Sequence, residues 1–167
     1  HVVFGKADGK SIELSSIGSD QNDSGFVVNG AVNTDFSGHS VSGAGDVNGD
    51  GLDDIIVGAY QYDPPYLRKN AGGSFVVFGK NNGSSVELGS LWRSNYNDDG
   101  FVINGIEADD RTGYSVSGAG DVNGDGLDDV IVGSHYISTN GSMAGAAYVV
   151  FGKATTGPVE LSNVISG

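Results

Sequence analysis

Residues Ser40–Asp54 read SVSGAGDVNGDGLDD, and the same fifteen residues recur without a change as Ser115–Asp129. Each copy has a short run of Ser, Val, Gly and Ala, followed by nine residues rich in Asp, Asn and Gly. An unchanged repeat of this length indicates that one structural unit is used at least twice. The chemistry of the nine acidic residues therefore decides most of what the sequence predicts.

Each nine-residue segment carries the oxygen ligands that a calcium ion needs. Oxygen-bearing side chains stand at its positions 1, 3, 5 and 9, and position 7 offers a backbone carbonyl. Calcium takes six to eight oxygens at about 2.3–2.6 Å, and three carboxylates this close repel one another unless a cation lies between them. We therefore predict two Ca²⁺ sites. Their predicted ligands are Asp46, Asn48, Asp50, the Leu52 carbonyl and Asp54 in the first site, and Asp121, Asn123, Asp125, the Leu127 carbonyl and Asp129 in the second.

Two other interpretations of this segment use the same residues. Asn-Gly and Asp-Gly pairs are common in tight turns, so a hairpin turn that binds nothing is the simpler alternative. Such a turn needs one or two of these residues, whereas the whole series of oxygen donors is kept twice here. An EF-hand is disfavoured because Val57 and Val132 stand at the twelfth position, where that loop has a bidentate Glu, and because the flanks are not helical in pattern.

Short β-like runs surround both acidic segments. They are rich in Val, Ile and Gly, too short for helices, and separated by turn residues. Related runs recur every 73 to 75 residues, a period that favours an array of β-propeller blades. The predicted strands are Ser40–Gly45, Asp54–Ala59, Phe75–Gly79 and Phe101–Asn104, with counterparts at Ser115–Gly120, Asp129–Ser134, Tyr148–Gly152 and Phe26–Asn29.

A further part of the repeat is a Val-Glu-Leu or Ile-Glu-Leu core. It lies in Ser11–Ile17, Ser85–Leu91 and Val159–Val164, and it predicts either a turn or an extra strand between the third and fourth strands. The sequence contains no heptad pattern and no apolar run long enough to span a membrane. We therefore predict an all-β chain of β-propeller blades with four antiparallel strands each, comprising two full repeats and part of a third.

The segment from Phe36 to Ala59 resembles a known repeat family. Its Phe-Ser-Gly start, its acidic loop and the Ile-Val-Gly-Ala that follows resemble the FG-GAP repeat of integrin α-subunit propellers and of bacterial, including cyanobacterial, tandem arrays. The second unit departs from the pattern at Arg111, and both units lack the terminal Pro of the family signature, having Tyr60 and His135. The resemblance implies a β-propeller with calcium loops between the first and second strands on one face, and ligand sites on the opposite face.

The resemblance covers nearly the whole chain, so residues 1–167 are expected to form one FG-GAP segment. It divides into a partial blade at 1–30, a full blade at 31–105 and a partial blade at 106–167. Propellers typically close with four to eight blades, and fewer leave sheet edges exposed. The sequence therefore predicts either self-association into a ring or a longer parent array, and a monomeric open array is a third interpretation.

Composition narrows the classes of function. The formal charge is −13, from 21 acidic and 8 basic residues, so nucleic acid is not an expected partner. The chain has no Cys, and bound calcium would take the stabilising place of disulfides. Calcium modules of this kind usually act outside the cell, where sites as weak as about 10⁻⁴–10⁻³ M are filled. We therefore expect a secreted or cell-surface protein.

Catalytic residues are not apparent in the sequence. The run Gly38–Gly43 nearly matches the G-x-S-x-G nucleophile elbow, but Ser42 occupies the place of the second Gly and no helix is predicted to follow. The three histidines, His1, His39 and His135, occupy unmatched positions without zinc-ligand spacing. We therefore predict that the chain is not an enzyme.

Candidate partner-binding residues lie in the long connections. The insertion from Tyr60 to Lys69 concentrates aromatic and cationic side chains, and its Pro-Pro pair would stiffen it. The alternative is a loop that only packs against a neighbouring blade. The predicted partner-binding residues are Tyr60, Tyr62, Tyr66, Arg68, Trp92, His135 and Tyr136.

The sequence thus favours a calcium-binding propeller module for extracellular adhesion, recognising a protein or glycan ligand. Two alternatives remain at this stage. One is an accessory domain or fragment of a secreted hydrolase or lyase, and the other is a spacer array with a purely structural role.

Overall fold

A computed structural model describes residues 1–8, 10–18, 24–65, 69–92, 99–138 and 143–164. Within these ranges nearly all regular structure is β-strand, and no helix is long and apolar enough to cross a membrane. The strands are β1 Val2–Val3, β2 Gly25–Phe26, β3 Val28–Asn29, β4 Ser40–Gly45, β5 Asp54–Ala59, β6 Gly73–Val77, β7 Val86–Glu87, β8 Gly100–Asn104, β9 Ser115–Gly120, β10 Asp129–Ser134, β11 Ala146–Val150 and β12 Val159–Glu160. The short helices are the 3₁₀ turns Leu14–Ser16 and Leu88–Ser90 and the α-helix α1, Leu161–Val164.

The central blade is a four-stranded antiparallel sheet with the order β4-β5-β6-β8. Its inner three strands follow one another through the chain, as in an up-and-down blade, and this confirms the predicted all-β propeller fold. The third strand ends at Val77 and not at Gly79 as predicted. The reason is that the Gly79 N–H donates to the Asp54 carboxylate at 2.7 Å, and so leaves the ladder.

The two outer blades are partial. The third blade has the antiparallel order β9-β10-β11, and in the described part of the first blade β1 pairs with β2. Strand β11 ends at Val150, two residues before the predicted end, because the Gly152 N–H donates to the Asp129 carboxylate at 2.8 Å. The same side-chain contact therefore stops the third strand in both units.

The Val-Glu-Leu segments turn out to be strands that join one blade to the next. Strand β7 pairs in parallel with β3 of the preceding blade, and β12 pairs in parallel with β8. The Asn29 amide donates to Glu87 at 2.5 Å, and the Asn104 amide donates to Glu160 at 2.6 Å. The leucine that follows each Glu is buried. The extra strand is therefore correct for these two segments, and its partner lies in the neighbouring blade, whereas the Ile-Glu-Leu segment Ser11–Ile17 forms the 3₁₀ turn Leu14–Ser16.

Both faces of the central blade carry buried side chains, because successive residues along each strand point to opposite faces. Phe75, Val77 and Val102 pack toward the first blade, in a cluster that includes Phe26 and Val86. The residues next to them pack toward the third blade. That second cluster includes Ile56, Val76, Phe101 and Ile103 of the central blade, with Val130, Val132 and Tyr148 of the third. The core therefore lies between the blades.

Val47, the second residue of the first acidic segment, inserts between the central and third blades. Its side chain is 0% exposed, and its carbonyl accepts the Lys153 N–H at 2.8 Å. The residue in the same position of the second copy, Val122, is 59% exposed. Two identical segments thus place the same side chain in opposite environments, because only the first has a blade beside it.

The connection into each first strand is a turn with a buried aspartate. The Asp35 carboxylate accepts the Val32 N–H at 2.9 Å, and the Asp110 carboxylate accepts the Glu107 N–H at 2.9 Å. Both carboxylates are buried. Burial raises the pKa of Asp35 to about 6, against the lowering effect of the Val32 hydrogen bond and with a further rise from nearby Asp63.

The inserted valine gives a matched stability test. We expect Val47→Ala to lower the free energy of unfolding by about 2 kcal/mol, because two buried methyl groups are lost and a cavity remains. Val122→Ala is the control, and it should change that free energy by less than about 0.5 kcal/mol in dilute solution. Urea unfolding followed by circular dichroism measures both. Equal effects from the two variants would contradict the described packing of Val47.

Asp35 should make stability depend on pH. Its pKa is higher in the folded state than the usual value near 4, so the folded chain binds that proton more tightly, and stability falls as pH rises from about 4 through about 6. Asp35→Asn keeps a hydrogen-bond acceptor without the charge. We expect it to reduce this loss by on the order of 1 kcal/mol between pH 4.5 and 7, measured from urea midpoints. An unchanged pH profile would show that Asp35 titrates normally.

Candidate functional site: two acidic loops and an aromatic row

The first acidic loop, residues 46–53, joins β4 to β5 at one end of the central blade. The Asp46 carboxylate lies inside the loop and accepts the N–H groups of Gly49 at 2.7 Å, Asp50 at 3.1 Å and Gly51 at 2.9 Å. The Asp50 carboxylate accepts the Leu52 N–H at 2.8 Å. Gly49 and Gly51 have positive φ angles of 81° and 87°, which a residue with a side chain rarely adopts. The loop is therefore wound around its own acidic side chains.

The second loop, residues 121–128, repeats this geometry. The Asp121 carboxylate accepts the N–H groups of Gly124 at 2.6 Å and Gly126 at 2.9 Å, and the Asp125 carboxylate accepts the Leu127 N–H at 2.9 Å. The Asn123 amide nitrogen donates to Asp125 at 2.8 Å, as Asn48 does to Asp50 at 2.9 Å. The unchanged sequence thus gives the same local structure at both sites.

The aspartate at position 9 of each loop is turned into the protein. Asp54 is 1% exposed, and its two oxygens accept the N–H groups of Val47 at 2.9 Å and Gly79 at 2.7 Å. Burial raises the pKa of Asp54 to about 6; its two hydrogen bonds act against that rise, and the carboxylates of Asp50 and Asp46 add to it. Asp129 makes the same pair of bonds, to the N–H groups of Val122 at 2.8 Å and Gly152 at 2.8 Å.

The ten predicted metal ligands supply oxygen only, which is the donor chemistry that a hard cation such as calcium prefers. Within the described ranges, however, no three acidic or histidine side chains converge closely enough to form a metal cluster. In the first loop the Asp46 carboxylate accepts the Asp50 N–H, and so bonds to the backbone of another predicted ligand. The residues therefore fit calcium in kind, and their role as ligands stays a prediction.

The two loops are joined by a residue that the sequence did not single out as functional. The Asp128 carboxylate accepts the Asp46 N–H at 2.9 Å, and the Asp128 N–H donates to the Asp46 carbonyl at 3.0 Å. Gly45 faces this contact, since a Cβ there would lie 2.0 Å from the Asp128 carboxylate. Asp128 thus fixes the second loop against the first residue of the first loop.

The opposite end of the hairpins carries a row of aromatic rings. These residues lie just before β4 and β9 or just after β5 and β10, so the antiparallel pairing brings them together at the end away from the acidic loops. Ring centroids lie 5.5 Å apart for Phe36 and Tyr60, 4.7 Å for Tyr60 and His39, and 4.8 Å for His39 and Tyr114. We call this set the aromatic row, and its members are Phe36, His39, Tyr60, Tyr114, His135 and Tyr136.

The row continues across the boundary between the central and third blades. Tyr114 and His135 have centroids 4.2 Å apart, His135 and Tyr136 are 4.4 Å apart, and the Arg111 guanidinium lies 4.5 Å from the centre of the Tyr136 ring. Burial and the nearby Arg111 charge lower the pKa of His135, so its ring is neutral at neutral pH. Phe36, His39, Tyr114 and His135 are exposed, and the row is therefore open to a partner.

Backbone geometry at the row is unusual and is repeated. Phe36 and Arg111, the equivalent residues of the two units, both have φ near 55°, and Thr34 and Asp109 have φ of 70° and 66°. Left-handed backbone at residues other than Gly costs on the order of 1–3 kcal/mol and is often found at binding sites. The turns that carry Phe36 and Arg111 are therefore held in place by the surrounding structure.

The predicted partner-binding residues lie in different environments in the structure. Tyr60, His135 and Tyr136 belong to the aromatic row. Tyr62 does not: it is 5% exposed and packs against Phe75 at 5.2 Å, so the prediction of a surface role for it is wrong. Trp92 is 40% exposed and follows the 3₁₀ turn Leu88–Ser90, and its predicted role in binding stays a prediction. Tyr66 and Arg68 lie outside the described residues.

Sequence reasoning missed Phe36, His39, Tyr114 and Arg111 as candidates for recognition. His39 and Tyr114 stand outside the long connections, where a binding loop is usually sought, and Phe36 and Arg111 stand in connections whose side chains were not singled out. The available signal was position: each stands within four residues of the start of a first strand, at the end that the acidic loop does not occupy. Projecting the predicted strand ends onto one face would have brought them together with Tyr60 and His135.

Comparison with known proteins agrees with this architecture. The family model for the FG-GAP repeat matches residues 37–78 and 112–150. Integrin alpha-PS2 of Drosophila melanogaster is 32% identical over 128 residues, covering 76% of this chain and 8% of that protein. Integrin alpha pat-2 of Caenorhabditis briggsae is 34% identical over 98 residues, covering 58% of this chain and 7% of that protein. Integrin alpha ina-1 of Caenorhabditis elegans is 43% identical over 58 residues, covering 33% and 5%.

The chain spans less than a tenth of the length of these curated relatives, at most 8%. The two matched stretches each contain one acidic loop together with its flanking strands, so sequence similarity and structure select the same repeated unit. This confirms the resemblance found in the sequence. The chain is therefore an FG-GAP repeat protein, built of β-propeller blades and related to the integrin α chains.

Proposed function

We propose that this chain is a calcium-stabilised adhesion module that acts outside the cell, recognises a protein or glycan partner, and has no catalysis of its own. The observation that carries the proposal is the unchanged repetition of a loop that supplies only oxygen ligands and is wound around its carboxylates. The aromatic row at the other end of the same hairpins provides the surface for recognition. The integrin names of the relatives support an adhesive role.

Calcium would be held by the loop residues themselves. Asp46, Asn48, Asp50 and Asp54 with the Leu52 carbonyl would hold one ion, and the corresponding residues from Asp121 to Asp129 would hold the other. Bound calcium supplies positive charge that offsets the mutual repulsion of these carboxylates. The chain's own contribution is to keep the loop wound, through the N–H groups that Asp46 and Asp121 accept.

The loops also stabilise the interface between blades. Val47 is buried in that interface, and Asp128 bonds to both backbone groups of Asp46. Ordering either loop therefore orders a blade contact. A chain of −13 formal charge without Cys gains stability from such ions, and they are abundant outside the cell.

The aromatic row is suited to recognition. Exposed rings with a polar edge, such as Tyr and His, offer a large contact area at a low cost in conformational entropy. Their faces can stack on sugar rings or pack into a protein surface, and Tyr and Arg are enriched at binding hot spots. Arg111 adds a cation beside Tyr136 in an otherwise acidic chain.

Calcium dependence is tested by the thermal midpoint with calcium and with excess chelator. We expect chelation to lower the wild-type midpoint by on the order of 5–10 °C, because two ions that bind only the folded state are removed. The double variant Asp50→Ala, Asp125→Ala should lose this dependence, since each substitution removes a predicted ligand. Its midpoint should stay close to that of the chelated wild type.

The control for this test is Asp53→Ala. Asp53 lies in the first loop at position 8, is exposed, and is not a predicted ligand, so the variant should keep the calcium dependence. A wild-type midpoint that does not respond to chelator would rule out calcium stabilisation. A dependence lost equally in Asp53→Ala would point to general electrostatic repulsion in place of a site.

Recognition is tested with Tyr114→Ala, at the centre of the row. The probes are a panel of soluble polysaccharides in affinity electrophoresis and immobilised gelatin in surface plasmon resonance. For any probe that the wild type binds, we expect Tyr114→Ala to weaken binding at least about tenfold. Phe151→Ala is the matched control, because Phe151 is an exposed aromatic residue at the acidic-loop end. Binding that falls in Phe151→Ala but not in Tyr114→Ala would place the site elsewhere.

A further inference from the structure

The central blade has an open face on the side of the first blade. A cavity of about 340 Å³ lies there, lined by Val41, Ser42 and Gly43 of β4, Ile55 and Val57 of β5, and Val28 of β3. A smaller cavity of about 150 Å³ lies beside the first acidic loop, and Asp53, Val77, Gly79 and Lys80 are among the residues that line it. Among the described residues, the strands of the first blade that pack on the rest of this face are β1, β2 and β3.

The equivalent face of the third blade is the one that meets the central blade, and it shows how one blade packs on the next. There, β4 of the central blade lies along β9, and the loop between β4 and β5 reaches across the third blade. Val47 is buried in that contact, its carbonyl accepts the Lys153 N–H at 2.8 Å, and the Asp128 carboxylate accepts the Asp46 N–H at 2.9 Å. In the repeat, Lys80 and Asp53 are the counterparts of Lys153 and Asp128, and both line the smaller cavity.

The other end of the chain carries the element that would fill these cavities. The β9–β10 hairpin has the same fifteen residues as β4 and its loop, from Ser115 to Asp129. Val122, the counterpart of the buried Val47, is 59% exposed. The third blade thus exposes Val122, whose counterpart Val47 is buried against a neighbouring blade. The smaller cavity on the central blade lies where a valine equivalent to Val47 would pack.

We propose that the open face docks the β9–β10 hairpin of a second copy of this chain. Val122 of the second copy would enter the smaller cavity and offer its carbonyl to the Lys80 N–H, while Asp53 would accept the Asp121 N–H. The larger cavity would receive β9 against β4, as β4 lies against β9 within the chain. The contact uses two different surfaces, so it joins copies head to tail and continues until a ring closes or a filament grows.

Docking requires one exchange of strands. The β10 strand of the second copy is already paired with its own β11, and β11 would occupy the place of β1 beside β2. Strand β1 contributes only the pairs of Val2 with Phe26 and Val3 with Gly25, whereas β11 pairs over five residues with β10. Both strands end in Val-Val and are followed by Phe-Gly-Lys, so β11 can replace β1 with the same side chains at that end and extend along β2 and β3.

Gly43 distinguishes the docked state from the single chain. A Cβ built at Gly43 meets no atom within 4 Å, so Gly43→Val should leave the single chain unstrained. At the internal interface, a Cβ at the equivalent Gly118 lies 2.7 Å from the Gly43 carbonyl oxygen. The Gly43→Val side chain would therefore meet the Gly118 carbonyl of a docked second copy in the same way.

The test is the mass of the purified chain by sedimentation velocity, from low micromolar to hundreds of micromolar, in buffer with calcium. We expect the wild-type mass to rise with concentration above that of one chain, and Gly43→Val to remain at one chain with an unchanged thermal midpoint when dilute. Val32→Asp is the control, because Val32 is also exposed but is not among the residues that line either cavity; it should assemble as the wild type does.

Val122→Ser is a second, independent variant, on the other surface of the contact, and we expect it to weaken association at least about tenfold. A wild type that stays at the mass of one chain at every concentration overturns the proposal. So does equal assembly of the wild type, Gly43→Val and Val122→Ser, which would show that the copies meet through another surface. If Gly43→Val is unfolded, the result for Val122→Ser decides between these outcomes.

Discussion

One buried carboxylate in each unit, Asp54 or Asp129, holds the loop, the second strand and the third strand together. Each sits at the first residue of its second strand and accepts one N–H from the loop and one from the residues that follow the third strand. Without that acceptor, two backbone donors would be left without a partner in a largely buried place, at a cost of about 1–3 kcal/mol each. The bond to Val47 also sets where this side chain enters the next blade, so the packing between blades depends on a bond made inside one blade.

The contacts that stabilise this chain lie mainly between blades. The buried side chains on the two faces of the central blade form separate apolar clusters, and both clusters extend into adjoining blades. Strands β7 and β12 extend the contact at the outer edge, where each pairs with the last strand of the preceding blade. At the inner edge, Asp128 bonds to Asp46, and the Ser40 hydroxyl donates to the Gly113 carbonyl at 2.9 Å. A blade of this kind is thus stable as a member of a stack, which is typical of repeat proteins.

The sequence predicted what is local. The four strands of the central blade and the two acidic loops follow from short patterns of Val, Ile and Gly and from the spacing of Asp and Asn, so they were found without a structure. The partner of β7 and the role of Asp128 were not, because both depend on which blade lies alongside. The prediction for Tyr62 failed for a similar reason: its N–H closes a turn onto the Ala59 carbonyl at 3.0 Å, and this turns the ring inward onto Phe75. The aromatic row combines residues from separate segments, so the pattern of any one segment does not predict it.

The two ends of the hairpins differ in how freely their residues vary between the repeats. At the acidic end the two copies are identical, and the carboxylates there bond to backbone groups that any change would disturb. At the other end Phe36 corresponds to Arg111 and Tyr60 to His135, although the backbone keeps the same left-handed turn at φ of 55° in both units. The row nevertheless crosses the blade boundary between His39 and Tyr114, so the spacing of its rings depends on how the two blades dock. The invariant end, through Val47 and Asp128, therefore sets the geometry of the variable end.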